Sequence, residues 1–145
     1  MGIPPPLLYA VPLIAGIVIG RWFPLLALPR IPLRIVGGVV TAAGLAFGGW
    51  ARLLFLSHKT SVVPIRPVTA FIASGPYRIS RNPIYVAFTL IYVGVALLCR
   101  AVWPLLFLPL VLVGIVKQVK REDAYLERRF GAEYLAYQQK VRRWL

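Results

Sequence analysis

Long apolar runs separated by shorter polar stretches form the hydrophobic pattern of this chain. Asp, Glu, Lys and Arg are absent from four of these runs, which cover residues 1–20, 35–51, 82–99 and 101–116. A helix that crosses a bilayer needs about 20 mostly apolar residues, and flanking arginines extend a slightly short run because their side chains snorkel to the interface. The pattern therefore predicts four transmembrane helices, over about 5–24, 33–56, 83–99 and 103–119.

The first apolar run has a second interpretation, a cleaved signal peptide. Such a peptide begins with a basic n-region, whereas this run has no basic residue and contains prolines at positions 4, 5, 6 and 12. Proline is tolerated in a membrane helix because neighbouring helices and waters satisfy the freed carbonyl groups. We therefore expect a spanning helix at this position.

The polar stretches divide a single membrane domain, 1–145, into three parts. A hydrophobic hairpin over 1–56 is followed by a proline-containing polar connection over 57–82, and then by a second hairpin and a polar tail over 83–145. Short connections favour antiparallel neighbours. The expected fold is therefore an all-α integral membrane protein, with about four transmembrane helices in two hairpins and a C-terminal amphipathic helix.

The polar tail has its own helical pattern. Gly131 is expected to stop or kink the helix. Before this glycine, apolar positions fall close to one helix face, and after it two tyrosines and a valine follow helical spacing. The positions are Ala124, Leu126 and Phe130 before it, and Tyr134, Tyr137 and Val141 after it.

Composition supports a membrane protein, and charge placement predicts its orientation. The hydrophobic fraction is 59% and the mean hydropathy is +0.76. Basic residues concentrate in the 57–82 connection and in the tail that starts at Lys117. The positive-inside rule then places both termini and this connection in the cytoplasm, with Trp22 and Trp103 near the opposite interface. The expected location is the inner membrane of a prokaryote, crossed several times.

The net charge of +13 indicates anionic partners. In a chain this apolar, lipid headgroups attract the lysines and arginines that lie at the membrane surface, so we expect anionic lipids and no nucleic acid. The single cysteine, Cys99, has no second thiol or neighbouring histidine, so neither a disulfide nor a metal site is expected. The oligomeric state stays open.

The segment from Gly75 to Tyr85 has the densest set of functional groups. It reads Gly-Pro-Tyr-Arg-Ile-Ser-Arg-Asn-Pro-Ile-Tyr and runs directly into an uncharged stretch. Asn82 is expected to cap a helix that has Pro83 at its first position. A polar sequence at the mouth of a hydrophobic helix is where water-soluble and lipid-soluble reactants meet, which predicts part of an enzyme site.

Carboxylates occur only in the tail, at Glu122, Asp123, Glu127 and Glu133. The pair Glu122-Asp123 lies among basic residues, where exposed ion pairs contribute little stability. If the tail and the 57–82 connection share one membrane face, however, they can form one pocket. Its guanidinium groups would bind a carboxylate, its carboxylates an ammonium group, and its tyrosines a flat ring. A carboxylate, an ammonium group and a flat ring are the groups that S-adenosylmethionine presents.

Taken together, these elements resemble the isoprenylcysteine carboxyl methyltransferase and phospholipid methyltransferase superfamily of membrane enzymes. The resemblance covers roughly 58–145, and its elements occur in the expected order. They are Thr60-x-x-Val63-Pro64, Gly75-Pro76-Tyr77-Arg78, Arg81-Asn82-Pro83-x-Tyr85, Glu122-Asp123-x-x-Leu126, Phe130-Gly131-x-Glu133-Tyr134-x-x-Tyr137 and Val141-Arg142-Arg143.

The resemblance implies S-adenosylmethionine as the cofactor, bound between the 57–82 connection and the tail. It implies catalytic roles for Glu122 and Arg143. It also implies cofactor-binding roles for Gly75, Tyr77, Arg78, Arg81, Asn82, Tyr85, Glu122, Tyr134 and Tyr137.

Two positions depart from the superfamily pattern. Many members have histidine where this chain has Asn82, and asparagine does not carry a proton, so a role in proton transfer is not expected there. Asp123 stands where a second glutamate is common. Its shorter side chain makes Glu122 the preferred residue of the acid pair.

The expected activity is methyl transfer from S-adenosylmethionine to a lipophilic acceptor that enters from the bilayer, most readily a carboxylate of the isoprenylcysteine type. A phospholipid amine and a small thiol remain as alternative acceptors. Two other classes also stay open. One is an NADPH-dependent reductase of the sterol reductase type, which is similar in its C-terminal half but far longer. The other is a non-catalytic membrane protein.

Overall fold

The computed structural model describes residues 4–25, 30–57 and 72–145. These residues form α-helices and one short 3-10 helix, and no strand occurs among them. The helices are α1 (Pro5–Trp22), α2 (Arg30–Ser57), α3 (Pro83–Leu98), α4 (Val102–Phe130) and α5 (Ala132–Lys140), with the 3-10 helix at Gly75–Arg78. The all-α prediction is confirmed, and α1 to α4 correspond to the four predicted spans. The Thr60-x-x-Val63-Pro64 element lies outside the described residues.

Helix length and apolar content fit a membrane. In the described part of the chain, α1, α2 and α4 are long and apolar enough to cross a bilayer, and α3 is a shorter apolar helix of 16 residues. At 1.5 Å per residue α3 is about 24 Å long. Large apolar side chains such as Val11 and Val39 are exposed on α1 and α2, which is the distribution of a lipid-facing surface.

The packing differs from two independent hairpins. The helix α2 packs along α3, whereas α1 packs mainly on α4 and also touches α3. The second hairpin, α3 with α4, therefore forms the centre of the bundle. We call the end where α2 finishes and α3 begins the site end, and the end where α3 finishes and α4 begins the opposite end.

Small residues let α2 and α3 approach closely. A Cβ atom added to Gly37 would lie 2.7 Å from both the Gly94 carbonyl oxygen and the Leu98 amide nitrogen. Gly44 is similarly close to the backbone of Ala87. Close approach through small residues is the usual basis of helix association in membranes, where no hydrophobic effect acts between helices.

Aromatic and branched residues fill the contact among α1, α3 and α4. The buried cluster consists of Tyr9, Tyr85, Tyr92, Val111, Ile115 and Val119. Tyr92 donates a hydrogen bond to the Pro104 carbonyl oxygen at 2.7 Å. Tyr9 donates to the Tyr85 carbonyl oxygen at 3.1 Å. The first helix thus holds the first turns of α3, from which the candidate site residues project.

The tail continues α4 beyond its apolar part. The uncharged stretch of α4 ends at Val116, and the helix then runs through the charged residues to Phe130. Gly131, with φ of +51°, ends it and precedes α5, so the predicted stop is confirmed. Ala124 is exposed, Leu126 and Phe130 are half-buried and Asp123 is buried, so burial along this stretch does not follow the apolar face.

Candidate functional site

A glycine turn positions the first part of the site. Gly75 has φ of +56°, a conformation that glycine adopts without strain. A Cβ atom there would lie 2.6 Å from the Leu54 Cδ1 atom. The turn that follows is closed by hydrogen bonds from Tyr77 N to Ser74 O and from Ile79 N to Pro76 O, both at 3.1 Å. Its result is a buried Tyr77 packed beneath the end of α2.

The C-terminal segment pairs with the residues that follow this turn. Arg81 N donates to the Arg142 carbonyl oxygen at 2.9 Å. The Arg143 carbonyl oxygen accepts from Ser80 Oγ at 3.3 Å and from Asn82 Nδ2 at 3.1 Å. These bonds bring together two motifs that are about 60 residues apart in the chain. They fix Arg143 beside Arg81.

Asn82 has a different local role from the one predicted. It occupies the N-cap position of α3, but its side chain makes no capping hydrogen bond. Its amide nitrogen instead holds the C-terminal segment, while its backbone N–H donates to Ser80 Oγ at 3.1 Å. A capping side chain accepts from the N–H of the second or third helical residue, whereas Asn82 acts as a donor to the C-terminal segment.

Asp123 is the central carboxylate of the site. Its Oδ2 atom lies 3.0 Å from Arg143 Nη2 and 3.8 Å from Arg81 Nη1. Its Oδ1 atom accepts a hydrogen bond of 2.5 Å from the Tyr134 hydroxyl. Glu122 was the predicted residue of the acid pair because its side chain is longer. Reach does not limit Asp123, because α5 and the C-terminal segment pack directly against it.

Glu122 projects from the same turn of α4 toward α3. Its Oε1 atom accepts hydrogen bonds from the Tyr85 hydroxyl at 2.5 Å and from Gln118 Nε2 at 3.5 Å. Glu122 lies beyond the apolar part of α4. Burial raises the pKa of Glu122, and the negative charge of Asp123 acts in the same direction, while the hydrogen bonds from Tyr85 and Gln118 lower it.

Three buried tyrosines with neutral hydroxyls complete the site. Tyr137 donates to the Tyr77 carbonyl oxygen at 2.5 Å. Burial raises the pKa of Tyr134 to about 12, aided by its contact with Asp123. Burial also raises the pKa of Tyr137 and Tyr77 well above the ordinary tyrosine value. All three hydroxyls therefore keep their protons at neutral pH.

Most of the predicted site residues come together in this network. Asp123 joins Arg81, Arg143 and Tyr134, the Arg143 carbonyl oxygen adds Asn82, and the ring contact of Tyr134 with Tyr137 adds Tyr137 and Tyr77. Tyr85 and Glu122 form a hydrogen-bonded pair of their own beside this group. Gly75 contributes through its backbone. Arg78 is exposed, and the contacts among the described residues do not include it in the network. Asp123 and Ser80, which are both buried, were not predicted as site residues.

The arginines retain buried donors that fit an anionic ligand. Within the described part of the chain, Arg81 Nε, Arg81 Nη1 and Arg143 Nε have no hydrogen-bond partner. A buried N–H group without a partner carries a desolvation cost, which a ligand carboxylate would remove by accepting from it. With the Glu122 carboxylate nearby on α4, the donor set fits the amino-acid end of S-adenosylmethionine.

Comparison with known proteins identifies a family. Residues 33–133 match the family described as phospholipid methyltransferase. This range contains the Gly75–Tyr85 segment and the acid pair, and it ends before the α5 tyrosines and Arg143. A protein of Haemophilus influenzae described as an uncharacterized protein is 64% identical over 28 residues, which are 19% of this chain and 44% of that protein. No solved structure matches the chain.

Proposed function

Since the chain belongs to the phospholipid methyltransferase family, whose members are membrane methyltransferases, we propose that it transfers a methyl group from S-adenosylmethionine to a lipophilic acceptor. The observation that carries this proposal is the set of buried N–H donors without a hydrogen-bond partner on Arg81 and Arg143, two arginines that face Asp123, the residue after Glu122 on α4. A purely structural ion-pair network would be expected to saturate its buried donors.

The residues have separate roles in holding the cofactor. Arg81 and Arg143 would bind its carboxylate and Glu122 its ammonium group, with the tyrosines of α5 beside them. When bound, the cofactor supplies a methyl group on a cationic sulfur. Methyl transfer by in-line displacement demands alignment of donor and acceptor more than proton transfer, and positioning of this kind lowers a barrier by about 7–11 kcal/mol. Asn82 suits a reaction that needs alignment more than proton transfer, because it acts as a fixed hydrogen-bonding group.

A carboxylate of the isoprenylcysteine type is the first candidate acceptor. Such a group is already nucleophilic at neutral pH, so it needs orientation by an arginine and no general base. Arg143 lies at the edge of the site with 35% of its side chain exposed, which leaves part of its guanidinium for an acceptor. The only histidine of the chain, at position 58, lies outside the described residues.

A phospholipid amine is the second candidate, which the family description favours. An amine must lose a proton before or during transfer. Glu122 is the group that could accept it, because burial raises its pKa toward the range in which a carboxylate acts as a base. For either acceptor we propose that the site end faces the cytoplasm, as the distribution of basic residues indicates.

Calorimetric titration with S-adenosylmethionine tests the cofactor site. We expect binding by the purified wild-type protein and its loss in Arg81→Ala and Glu122→Ala, with each variant still monodisperse in detergent. The matched control is Arg128→Ala, which changes an exposed arginine of α4, the helix that carries Glu122. This variant should bind S-adenosylmethionine normally. Binding by both site variants with wild-type affinity would contradict the assignment. Binding of NADPH in place of S-adenosylmethionine would indicate a reductase, and binding of neither a non-catalytic protein.

Methyl transfer from labelled cofactor distinguishes the acceptors. The protein is incubated with vesicles containing phosphatidylethanolamine or with a prenylcysteine analogue. A methyl ester releases its label as methanol in mild alkali, whereas an N-methyl group keeps it. Alkali-labile product on the prenylcysteine analogue supports the first candidate, and stable product on the lipid supports the second.

A further inference from the structure

A cleft with two arginines lies at the opposite end of the bundle, away from the proposed methyl-transfer site. It has a volume of about 430 Å³ and is lined by Ile17, Gly20, Arg21, Cys99, Arg100 and Ala101. This volume falls within the range of about 300–1,000 Å³ that is usual for ligand sites. The cleft is formed where α1 ends and where α3 turns into α4.

The cleft has no acidic residue to neutralise its arginines. Every Asp and Glu of the chain lies between positions 122 and 133, on the part of α4 and α5 at the site end. The C-terminal ends of α1 and α3 each contribute about half a negative charge, and the N-terminal end of α4 contributes about half a positive charge. Together the helix ends contribute about half a negative charge. The two guanidinium groups carry more positive charge than this, so the cleft is net positive.

The backbone at Arg100 is unusual for this residue type. Arg100 N donates to Leu97 O at 3.0 Å and Ala101 N donates to Ala96 O at 2.9 Å, which is the Schellman pattern that ends a helix. Arg100 occupies the position that glycine normally takes, with φ of +53°. A side chain in this left-handed conformation costs free energy, and such positions concentrate where a ligand is held.

The start of α4 borders the same cleft at Ala101. Ala101 is the N-cap residue of α4 and provides no side-chain hydrogen bond, since alanine has no acceptor to cap a helix. The first N–H groups of α4 are therefore not capped by the N-cap side chain. The cleft is not crowded at Gly20. A Cβ atom added to this glycine would lie 3.5 Å from Trp103, which is an ordinary van der Waals distance.

Two tryptophans place this cleft at a membrane interface. Trp22 is 77% exposed at the end of α1, and Trp103 donates from its indole nitrogen to the Phe23 carbonyl oxygen at 2.9 Å. Tryptophans of this kind mark the headgroup level of a bilayer. An anion at this level that suits two arginines is a phosphate group.

We propose that the cleft between Arg21 and Arg100 binds a phosphate-bearing anion with the chemistry of a glycerophosphate headgroup. It is a second site, on the membrane face opposite the methyl-transfer site, and it does not depend on the proposed function. The same chemistry is available from an anionic lipid or from a free glycerophosphate. Separate arms of one experiment distinguish the two sources.

Cys99 provides a direct measurement, because it is the only cysteine of the chain, is exposed and lines the cleft. The full-length protein is placed in nanodiscs of phosphatidylcholine, and the rate of Cys99 alkylation by a neutral maleimide is measured. Phosphatidylglycerol in the nanodisc, or glycerol 3-phosphate added to the solution, should slow alkylation by covering the thiol. Slowing by the lipid alone identifies a headgroup site, and slowing by both identifies a general phosphate site.

The variants separate binding from folding. Arg100→Gly keeps the left-handed backbone without strain and removes the guanidinium, and Arg21→Gln removes an exposed charge. Each change should weaken protection about five-fold, the usual effect of one arginine beside anionic lipid, and the double variant should abolish it. Arg34→Gln removes an exposed arginine from the first turns of α2, outside the cleft, and should leave protection unchanged.

Two results would overturn the proposal. One is an alkylation rate that neither phosphatidylglycerol nor glycerol 3-phosphate changes. The other is a slowing of Cys99 alkylation that persists in the double variant, or that Arg34→Gln abolishes to the same extent. Either outcome would show that the slowing reflects the general surface potential of the membrane. The apparent melting temperature of each variant, expected at or above the wild-type value for Arg100→Gly, shows that the fold is retained.

Discussion

The hydroxyl of Tyr134 on α5 donates a hydrogen bond to the carboxylate of Asp123 on α4 at 2.5 Å. Since α5 has only nine residues, it is too short to be stable as an isolated helix. Its position therefore depends on this bond and on the one from Tyr137 to Tyr77. The segment after α5 carries Arg143 into the site, so the docking of α5 determines where Arg143 lies.

Removal of the α5 hydroxyls should loosen the C-terminal segment. A buried hydrogen bond between neutral groups contributes about 1 kcal/mol, and one to a charged group about 1.5–3 kcal/mol. Tyr137→Phe should lower the free energy of unfolding by the first amount, and Tyr134→Phe, which loses a bond to a carboxylate, by the second. Limited proteolysis should then cleave the tail after Gly131 faster in both variants. Tyr125→Phe, which alters a tyrosine that is 45% exposed on α4, is the control. Wild-type cleavage rates in both variants would show that α5 is held by other contacts.

Asp123→Asn should destabilise the protein more than any single tyrosine change. The substitution removes the charge that faces Arg143 and Arg81. Loss of one partner from a buried ion pair costs about 3–5 kcal/mol, and the partial exposure of Arg143 makes the lower end of this range the expected value. Thermal unfolding in detergent measures the effect, with the exposed residue Glu133 changed to Gln as the control. An equal melting temperature for Asp123→Asn and Glu133→Gln would contradict the central position of Asp123.

Glu122 should make both stability and cofactor binding depend on pH. Burial raises its pKa in the folded state, so the folded protein binds more protons than the unfolded chain between the two pKa values. The stability contribution is complete below the unfolded value and is lost as pH rises through the folded value. Glutamine does not titrate, so in Glu122→Gln this loss of stability with rising pH should disappear. Unfolding measured as a function of pH for the wild type and this variant tests the prediction, and parallel profiles would contradict it.

Tyr85→Phe should move the same titration. The hydrogen bond from Tyr85 lowers the pKa of Glu122, so its loss raises that pKa further. Binding of the cofactor ammonium group requires the ionised carboxylate, and the midpoint of the binding profile should therefore shift to higher pH. Tyr125→Phe should leave the midpoint unchanged. Calorimetric titrations across the pH range measure it, and a midpoint that stays in place or falls in Tyr85→Phe would refute the role of this bond.

The helices were predictable from sequence because each apolar run contains its own signal. Pro83 and Gly131 marked a helix start and a helix end at the correct residues. Side-by-side placement of α2 and α3 was not predictable. It depends on small residues of one helix meeting the backbone of another, and no local pattern specifies which glycines face each other.

The composition of the site was predictable and its geometry was not. The motifs around Arg81 and Glu122 indicated which segments converge. The different partners of Glu122 and Asp123 follow from the direction in which α4 presents each side chain, and this direction depends on the packing of α5. The contact of Asn82 with the Arg143 carbonyl oxygen likewise joins residues whose pairing is set only in the folded protein.

Two adjacent glycines of α2 should respond in opposite ways to the same substitution. Gly37→Ala places a methyl group 2.7 Å from backbone atoms of Gly94 and Leu98. Because backbone cannot rotate away, α2 and α3 must separate at a cost of about 1–3 kcal/mol. A methyl group at Gly38 meets nothing within 4 Å. Gly38→Ala should therefore stabilise the helix by about 0.8–1.0 kcal/mol through its higher helix propensity.

The same pair of variants tests whether α2 packing supports the site. The first turn of α3 carries Tyr85, and α2 lies along α3, so separation of the two helices should also weaken cofactor binding in Gly37→Ala. Unfolding by titration with a denaturing detergent gives the stability, and calorimetry gives the affinity. If Gly37→Ala matches Gly38→Ala in both measurements, α2 and α3 are not as close as the structure places them. Reduced stability with unchanged affinity would instead show that the site keeps its geometry when α2 moves.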